Sequence, residues 1–171
     1  VTKDFHRAPL KGTGGVKAIG NYVPGMLPSS IAKSKGYAEV IYLDAAEEKY
    51  IEEVGAANFF AVIGNKLITP ELTGSILPGI TRDSVIHLAK TKLGLEVEER
   101  GISVHEALAA DELFCAGTAA IVAPIGLINY EGKDYVFNDG NIGKITNKLY
   151  NYLTGIQFGT SEDEFNWMEK I

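Results

Sequence analysis

The dipeptide Gly64-Asn65 stands between two strand-forming runs, residues 58–63 (NFFAVI) and 66–69 (KLIT). A two-residue link of this composition accepts the positive φ angles of a tight hairpin, so the middle of the chain is committed to antiparallel sheet. A second hairpin is predicted from the apolar run 38–43 (AEVIYL), the acidic turn 44–49 and a strand over 50–53. A third spans 129–137 and turns at Glu131-Gly132. Helical periodicity interrupts these strands. Over 81–93, Val85, Leu88, Ala89 and Leu93 share one face and Gly94 follows as a stop. A short helix over 27–34 ends before Gly36, and a longer one closes the chain over 142–158. Residues 95–99 read as a strand, 103–110 as a short helix, and 113–116 and 121–122 as core strands around Gly117. Residues 162–171, with Trp167, read as a packed tail. Interleaved strands and helices of this kind predict an α/β (α+β) domain, and 171 residues suffice to bury a core without staples.

Composition excludes several function classes. A net charge of −6 without a basic cluster speaks against nucleic acid as a partner. No apolar run approaches eighteen residues and no signal-peptide pattern occurs, so neither membrane nor secretion is expected. Cys115 is the single cysteine, which excludes an internal disulfide and suits a reducing, cytoplasmic compartment. The histidines His6, His87 and His105 have no ligand spacing, and no metal is expected. Residues 1–12 (VTKDFHRAPLKG) read as an extended polar connector, because Pro9 disfavours helix at Ala8. On this reading 1–15 join a preceding segment to a domain over 16–171.

Four segments carry candidate chemistry. GTGGVKAIGNY, residues 12–22, places Lys17 among small residues, with Asn21 and Tyr22 just beyond. A lysine that attacks a carbonyl needs a crowded, partly dry site that frees its amine. A phosphate-binding P-loop fails here because Val16 and Ala18 flank the lysine, and a dinucleotide fingerprint fails for want of a third glycine. YIEEVGAANFF ends a strand at Glu53 and turns through small residues. ILPGITRD leads Pro78-Gly79 into a helix near Thr81, whose free N–H groups suit an anion. CAGTAA is a Gly-Thr turn after a strand, a second source of N–H donors. Singly, each has a plainer reading: a solvated loop lysine, a strand-end carboxylate, an N-cap threonine, a turn threonine. Together they supply an amine, a carboxylate and two anion cradles, the parts needed to hold a phosphorylated aldehyde with a ring nitrogen.

In order and spacing, GTGGVKAIGNY, YIEEVGAANFF, ILPGITRDSVIHLA and ELFCAGTAA resemble the cofactor domain of the branched-chain amino-acid aminotransferases, fold-type IV enzymes that use pyridoxal 5'-phosphate. The resemblance runs from Arg7 to the C-terminus. It implies a mixed sheet or pseudo-barrel large domain of the D-amino-acid aminotransferase-like kind. It casts Lys17 as the amine that bonds the cofactor aldehyde and later moves the substrate proton. Tyr22 would bind the phenolic oxygen and Glu53 the pyridine nitrogen, which keeps the ring an electron sink. Leu77 would pack on the ring. Ile80 and Thr81 would hold the phosphate, joined by Thr118. Ala119 and Ala120 would lie along the substrate carboxylate, and Arg7 would also reach the cofactor. Cys115 keeps its reading as a small buried hydrophobe, and a redox Cys-x-x-Cys found in some members is replaced by Ala120 and Ala123.

The implied activity is transfer of an amino group between leucine, isoleucine or valine and 2-oxoglutarate, in a homodimer with small-molecule amino acid and 2-oxo acid substrates. D-amino-acid aminotransferase and aminodeoxychorismate lyase share the implied fold, and a non-catalytic dimerisation module is the alternative from another class. Family members carry an N-terminal small domain with part of the phosphate and substrate pocket. It is not in this sequence, so the chain by itself is expected to be inactive.

Overall fold

The computed structural model describes residues 1–169. After two short 3-10 turns, α1 (Met26–Ser34) ends before Gly36 as the sequence predicts. Strands β1 (Ile41–Leu43) and β2 (Ile51–Val54) form the first hairpin. Its acidic turn is organised by Asp44, whose carboxylate accepts the N–H groups of Glu47, Lys49 and Tyr50. β1 is shorter than the run 38–43 predicts. The Val40 N–H is taken by the neighbouring Glu39 carboxylate at 3.0 Å, which removes it from the ladder.

Strand β3 (Ala57–Ile63) turns through Gly64-Asn65 into β4 (Lys66–Thr69), with Ile63 opposite Lys66. Helix α2 (Ile80–Leu93) stops at Gly94 and returns the chain to β5 (Glu96–Glu99), which lies parallel to β4. Ser103 caps α3 (Val104–Leu108) by accepting the Glu106 N–H. Strand β6 (Glu112–Gly117) then runs antiparallel along residues 58–62 of β3 and hairpins into β7 (Ile121–Pro124). Because β6 occupies one edge of β3, β2 and β4 share the other, β2 at its start and β4 at its end. The result is a branched, mixed seven-stranded sheet, and no strand pair among the described residues closes it into a ring. Strands β8 (Leu127–Tyr130) and β9 (Lys133–Val136) form a separate hairpin, and α4 (Lys144–Gln157) follows.

Both faces of the sheet are buried, since successive side chains of β3 and β6 alternate between two cores. Phe60, Val62 and Phe114 meet Val85 and Leu88 of α2 and Leu149 and Leu153 of α4. The Phe60 and Phe114 rings stack with centroids 4.9 Å apart. Phe59, Ala61 and Leu113 meet Val104 and Ala107 of α3 and Ile128 and Tyr130 of β8. Each fully buried phenylalanine contributes about 1.5–3 kcal/mol of transfer free energy. The tail lies on α2, with Phe165 and Trp167 edge-on to His87. Lys170 and Ile171, the end of the predicted tail, lie outside the described residues.

The segment read as a polar connector is docked rather than loose. Thr2 bridges to Tyr42 of β1, and Arg7 and Ala8 are buried. An extended segment can seat one buried cation only where a buried anion awaits it, and periodicity does not reveal such a partner.

Glu112 ties the sheet to the last helix. Its buried carboxylate accepts the N–H groups of Ile145 and Thr146 and the Thr146 hydroxyl, at 2.9–3.0 Å. A carboxylate at a helix N-terminus satisfies orphan donors and complements the dipole. Glu112→Ala is expected to cost about 2–4 kcal/mol, because three donors lose a charged acceptor together. Urea unfolding read by circular dichroism measures this, and a loss under about 0.5 kcal/mol would show that water replaces the carboxylate freely.

Candidate active site

Three segments meet at one end of the sheet: the β2–β3 turn at Gly55-Ala56, the β6–β7 turn over 118–120, and the start of α2. Gly117 lies against Ala57, where an added Cβ would stand 3.6 Å from the Ala57 Cβ. Asn58, the second residue of β3, pairs with Glu53 in the ladder and donates from Nδ2 to the Leu77 carbonyl at 2.9 Å. These contacts draw YIEEVGAANFF, ILPGITRD and CAGTAA together.

Glu53 is 1% exposed. The Arg7 Nε stands 2.6 Å from its Oε2, and Asn58 Nδ2 reaches its Oε1 at 3.3 Å. The Arg7 contact is a close ion pair that occupies Oε2, although its direction is not that of a hydrogen bond. Burial pushes the Glu53 carboxyl up to about 8; Arg7 opposes the rise and the neighbouring Glu52 adds to it. A further cation brought to the carboxylate would offset that cost. Glu52 is also buried. Burial raises its pKa, against the hydrogen bond it accepts from the Ser75 hydroxyl.

Arg7 is placed by the loop it grips. Its Nη1 donates to the Ser75 carbonyl at 2.9 Å. The glycine loop before Lys17 packs on this same strip: the Gly15 N–H donates to the Gly74 carbonyl at 2.8 Å. Gly14 admits no side chain, since a Cβ there would sit 2.0 Å from the Ser75 carbonyl oxygen. Asn21, 6% exposed, fastens the other side by donating to the Thr13 and Val16 carbonyls at 2.7 and 2.8 Å. Lys17 is thus carried on a pinned loop. Its side chain nevertheless is exposed, as are Val16, Ile19, Val23 and Met26 around it, so the dry site expected from sequence is not built by the described residues. The loop has apolar neighbours but no wall over them.

Tyr22 is half-exposed and lines a cavity of about 220 Å³ with Arg7, Glu39, Tyr42 and Ala56. Glu39 and Ala56 also border a groove of about 930 Å³ that extends to Thr118, Ala119 and Ala120. Tyr42 stays a neutral phenol, pushed up to about 12 by burial and by Glu39, with Arg7 opposing. Cys115 lies on the groove, and burial with Glu39 raises its thiol to about 11, which leaves it protonated and unreactive.

At the start of α2, Gly79 is the N-cap and no side chain caps the helix. Thr81 is therefore not the cap residue, and the N–H groups of Ile80 and Thr81 have no intrahelical acceptor. Leu77 is partly buried beside the Asn58 bond. Thr118 and Ala119 are exposed at the tip of the β6–β7 turn. The structure brings Arg7, Glu53, Leu77 and the α2 start into one contiguous site, with Tyr22 on its cavity and Thr118 to Ala120 on the adjoining groove. Sequence reading missed Glu39, Tyr42, Asn58 and Ser75. Asn58 alone left a signal, an amide inside an otherwise apolar strand.

The structure thus carries a pinned lysine loop, a buried carboxylate paired with Arg7 and an uncapped helix start. The family description "Amino-transferase class IV" matches residues 3–128, and the chain belongs to that family. It is 49% identical over 167 residues to branched-chain-amino-acid aminotransferase 3, chloroplastic, of Arabidopsis thaliana, covering 98% of this chain and 40% of the relative. It is 48% identical over 173 residues to a probable branched-chain-amino-acid aminotransferase of Staphylococcus aureus, covering 98% and 48%. Among solved structures, the branched-chain amino acid aminotransferase of Escherichia coli superposes with a TM-score of 0.85 at 37% identity, covering 99% of this chain and 55% of that one. The Thermobaculum terrenum enzyme in its PLP-bound holo form gives 0.78 at 34% identity, covering 92% and 50%. The chain thus spans about half the length of its relatives, and its fold is that of fold-type IV enzymes.

Proposed function

We propose that this chain is the cofactor-binding domain, over 16–171, of a branched-chain amino-acid aminotransferase and that it binds pyridoxal 5'-phosphate. The observation that carries the reading is the Glu53 carboxylate, 1% exposed and paired with the Arg7 guanidinium at 2.6 Å. When bound, pyridoxal phosphate supplies an aldehyde that takes up amino groups and a ring that accepts the electron pair released at the substrate α-carbon. Glu53 keeps the ring nitrogen protonated by charge pairing, and Arg7 holds Glu53 in place. Lys17 offers its Nζ as the nucleophile and then as the carrier of the α-proton. Tyr22 orients the phenolic oxygen and Leu77 packs on the ring. Ile80 and Thr81, by their N–H groups and the Thr81 hydroxyl, bind the phosphate with Thr118. The Ala119 and Ala120 backbone receives the substrate carboxylate.

The proposed substrates are leucine, isoleucine or valine, in line with the branched-chain names of the relatives, with 2-oxoglutarate as the proposed amino acceptor. Exposed Val16, Ile19, Val23 and Met26 form apolar surface around Lys17, and a homodimer in the cytoplasm is the assembly that suits such a surface and a single unpaired cysteine. No helix among the described residues is long and apolar enough to cross a membrane.

Absorbance and leucine-dependent turnover test this reading. The 171-residue chain is expected to take up pyridoxal phosphate weakly, about ten- to hundredfold below a site with a further bidentate arginine on the phosphate. It should not transaminate leucine, whereas a polypeptide extended to the relatives' length should. Robust turnover by this chain alone, or no turnover by the extended one, would overturn the proposal.

A further inference from the structure

Asn58 engages both of its amide protons at the candidate site. Nδ2 donates to Glu53 Oε1 at 3.3 Å and to the Leu77 carbonyl at 2.9 Å. Its Oδ1 faces Gly79, where an added Cβ would stand 2.4 Å away, so the start of α2 closes directly onto this amide. Asn58 is 5% exposed and sits in β3 between Ala57 and Phe59. One side chain therefore touches the carboxylate, the loop segment that supplies Leu77 and the glycine before Ile80 and Thr81.

We infer that Asn58 is a positioning residue that sets the Glu53 carboxylate, the Leu77 backbone and the α2 start in one geometry for a phosphorylated pyridine ligand. This rests on the cofactor reading proposed above. By engaging Oε1 while the Arg7 Nε stands 2.6 Å from Oε2, Asn58 fixes the plane of the carboxylate; without it the carboxylate is free to turn and meet Arg7 through either oxygen. By holding the Leu77 carbonyl, it keeps the segment before α2 against β3, so a change at the carboxylate is felt at the phosphate end. A residue that merely filled the core would affect stability and leave both ends of the ligand alone.

Asn58→Asp is near-isosteric but removes both donors, and Asn58→Ser is the second variant should the added charge impair folding. Binding of pyridoxal phosphate, and of pyridoxal without phosphate, is measured by visible absorbance as a function of pH. The expected result is a roughly tenfold or greater loss of pyridoxal phosphate affinity. The pH titration of the bound ligand's absorbance should shift as well. A smaller loss is expected for pyridoxal, which lacks the phosphate end. In the Glu53→Gln background the titration shift caused by Asn58→Ser should vanish, since no carboxylate remains to be set. If both variants bind and titrate like the wild type, the inference is overturned and the cofactor reading stands. If the wild type takes up neither pyridoxal compound, the cofactor reading falls and this inference falls with it.

Discussion

Borohydride reduction of the protein in pyridoxal phosphate is expected to attach the pyridoxyl group to the peptide carrying Lys17, and Lys17→Ala is expected to remove that label completely. The loop from Thr13 to Asn21 is fastened by the Gly15–Gly74 bond and by Asn21, so the lysine Cα has a fixed place beside the Arg7–Ser75 strip. Lys11 lies on the same loop but at an exposed turn with φ of 61°, before the fastened part begins. Label on Lys11 instead of Lys17 would sink the assignment. In a polypeptide of the relatives' length, Lys17→Ala should abolish transamination, because the other three candidate segments, 50–60, 76–83 and 115–120, contain no lysine.

Glu53→Gln should produce two separable effects. The first concerns stability. Unfolded, the carboxyl has its ordinary pKa of 4.5; folded, burial carries it to about 8. Raised in the folded state, the group contributes stability that is fully present below the unfolded value and is lost as pH rises toward 8. The stability of wild type minus Glu53→Gln should therefore fall by on the order of 4 kcal/mol between pH 4.5 and 8 in the ligand-free protein. Glu52 shifts in the same direction but is common to both proteins, so the difference isolates Glu53. Urea unfolding at several pH values measures it, and a flat difference would mean that Arg7 keeps Glu53 ionised throughout. The second effect concerns chemistry. In the extended polypeptide, loss of the charge opposite the ring nitrogen should retain cofactor but lower turnover about tenfold to a thousandfold, roughly 1.4–4 kcal/mol of barrier. Near-normal turnover would reduce Glu53 to a buried structural acid.

The elements of this protein were legible because each is encoded by neighbours in sequence. Gly64-Asn65 dictates its hairpin, Asp44 its turn, and Val85, Leu88 and Ala89 the buried face of α2 ending at Gly94. The candidate site was legible as four segments, since Lys17, Glu53, Thr81 and Thr118 each sit in a recognisable local context. Their relation was not. Arg7 meets the Ser75 carbonyl across 68 positions and Asn58 meets Leu77 across 19, and no periodicity forecasts such a pairing. Only the fold decides that the segment 1–12 docks with Arg7 and Ala8 buried, because the cation of Arg7 needs the anion of Glu53 inside the same core. Only the fold decides that Arg7 pairs with one oxygen of Glu53 while Asn58 engages the other. It likewise leaves Lys17 exposed, since covering a side chain takes surface from elsewhere, which no run of small residues supplies for itself.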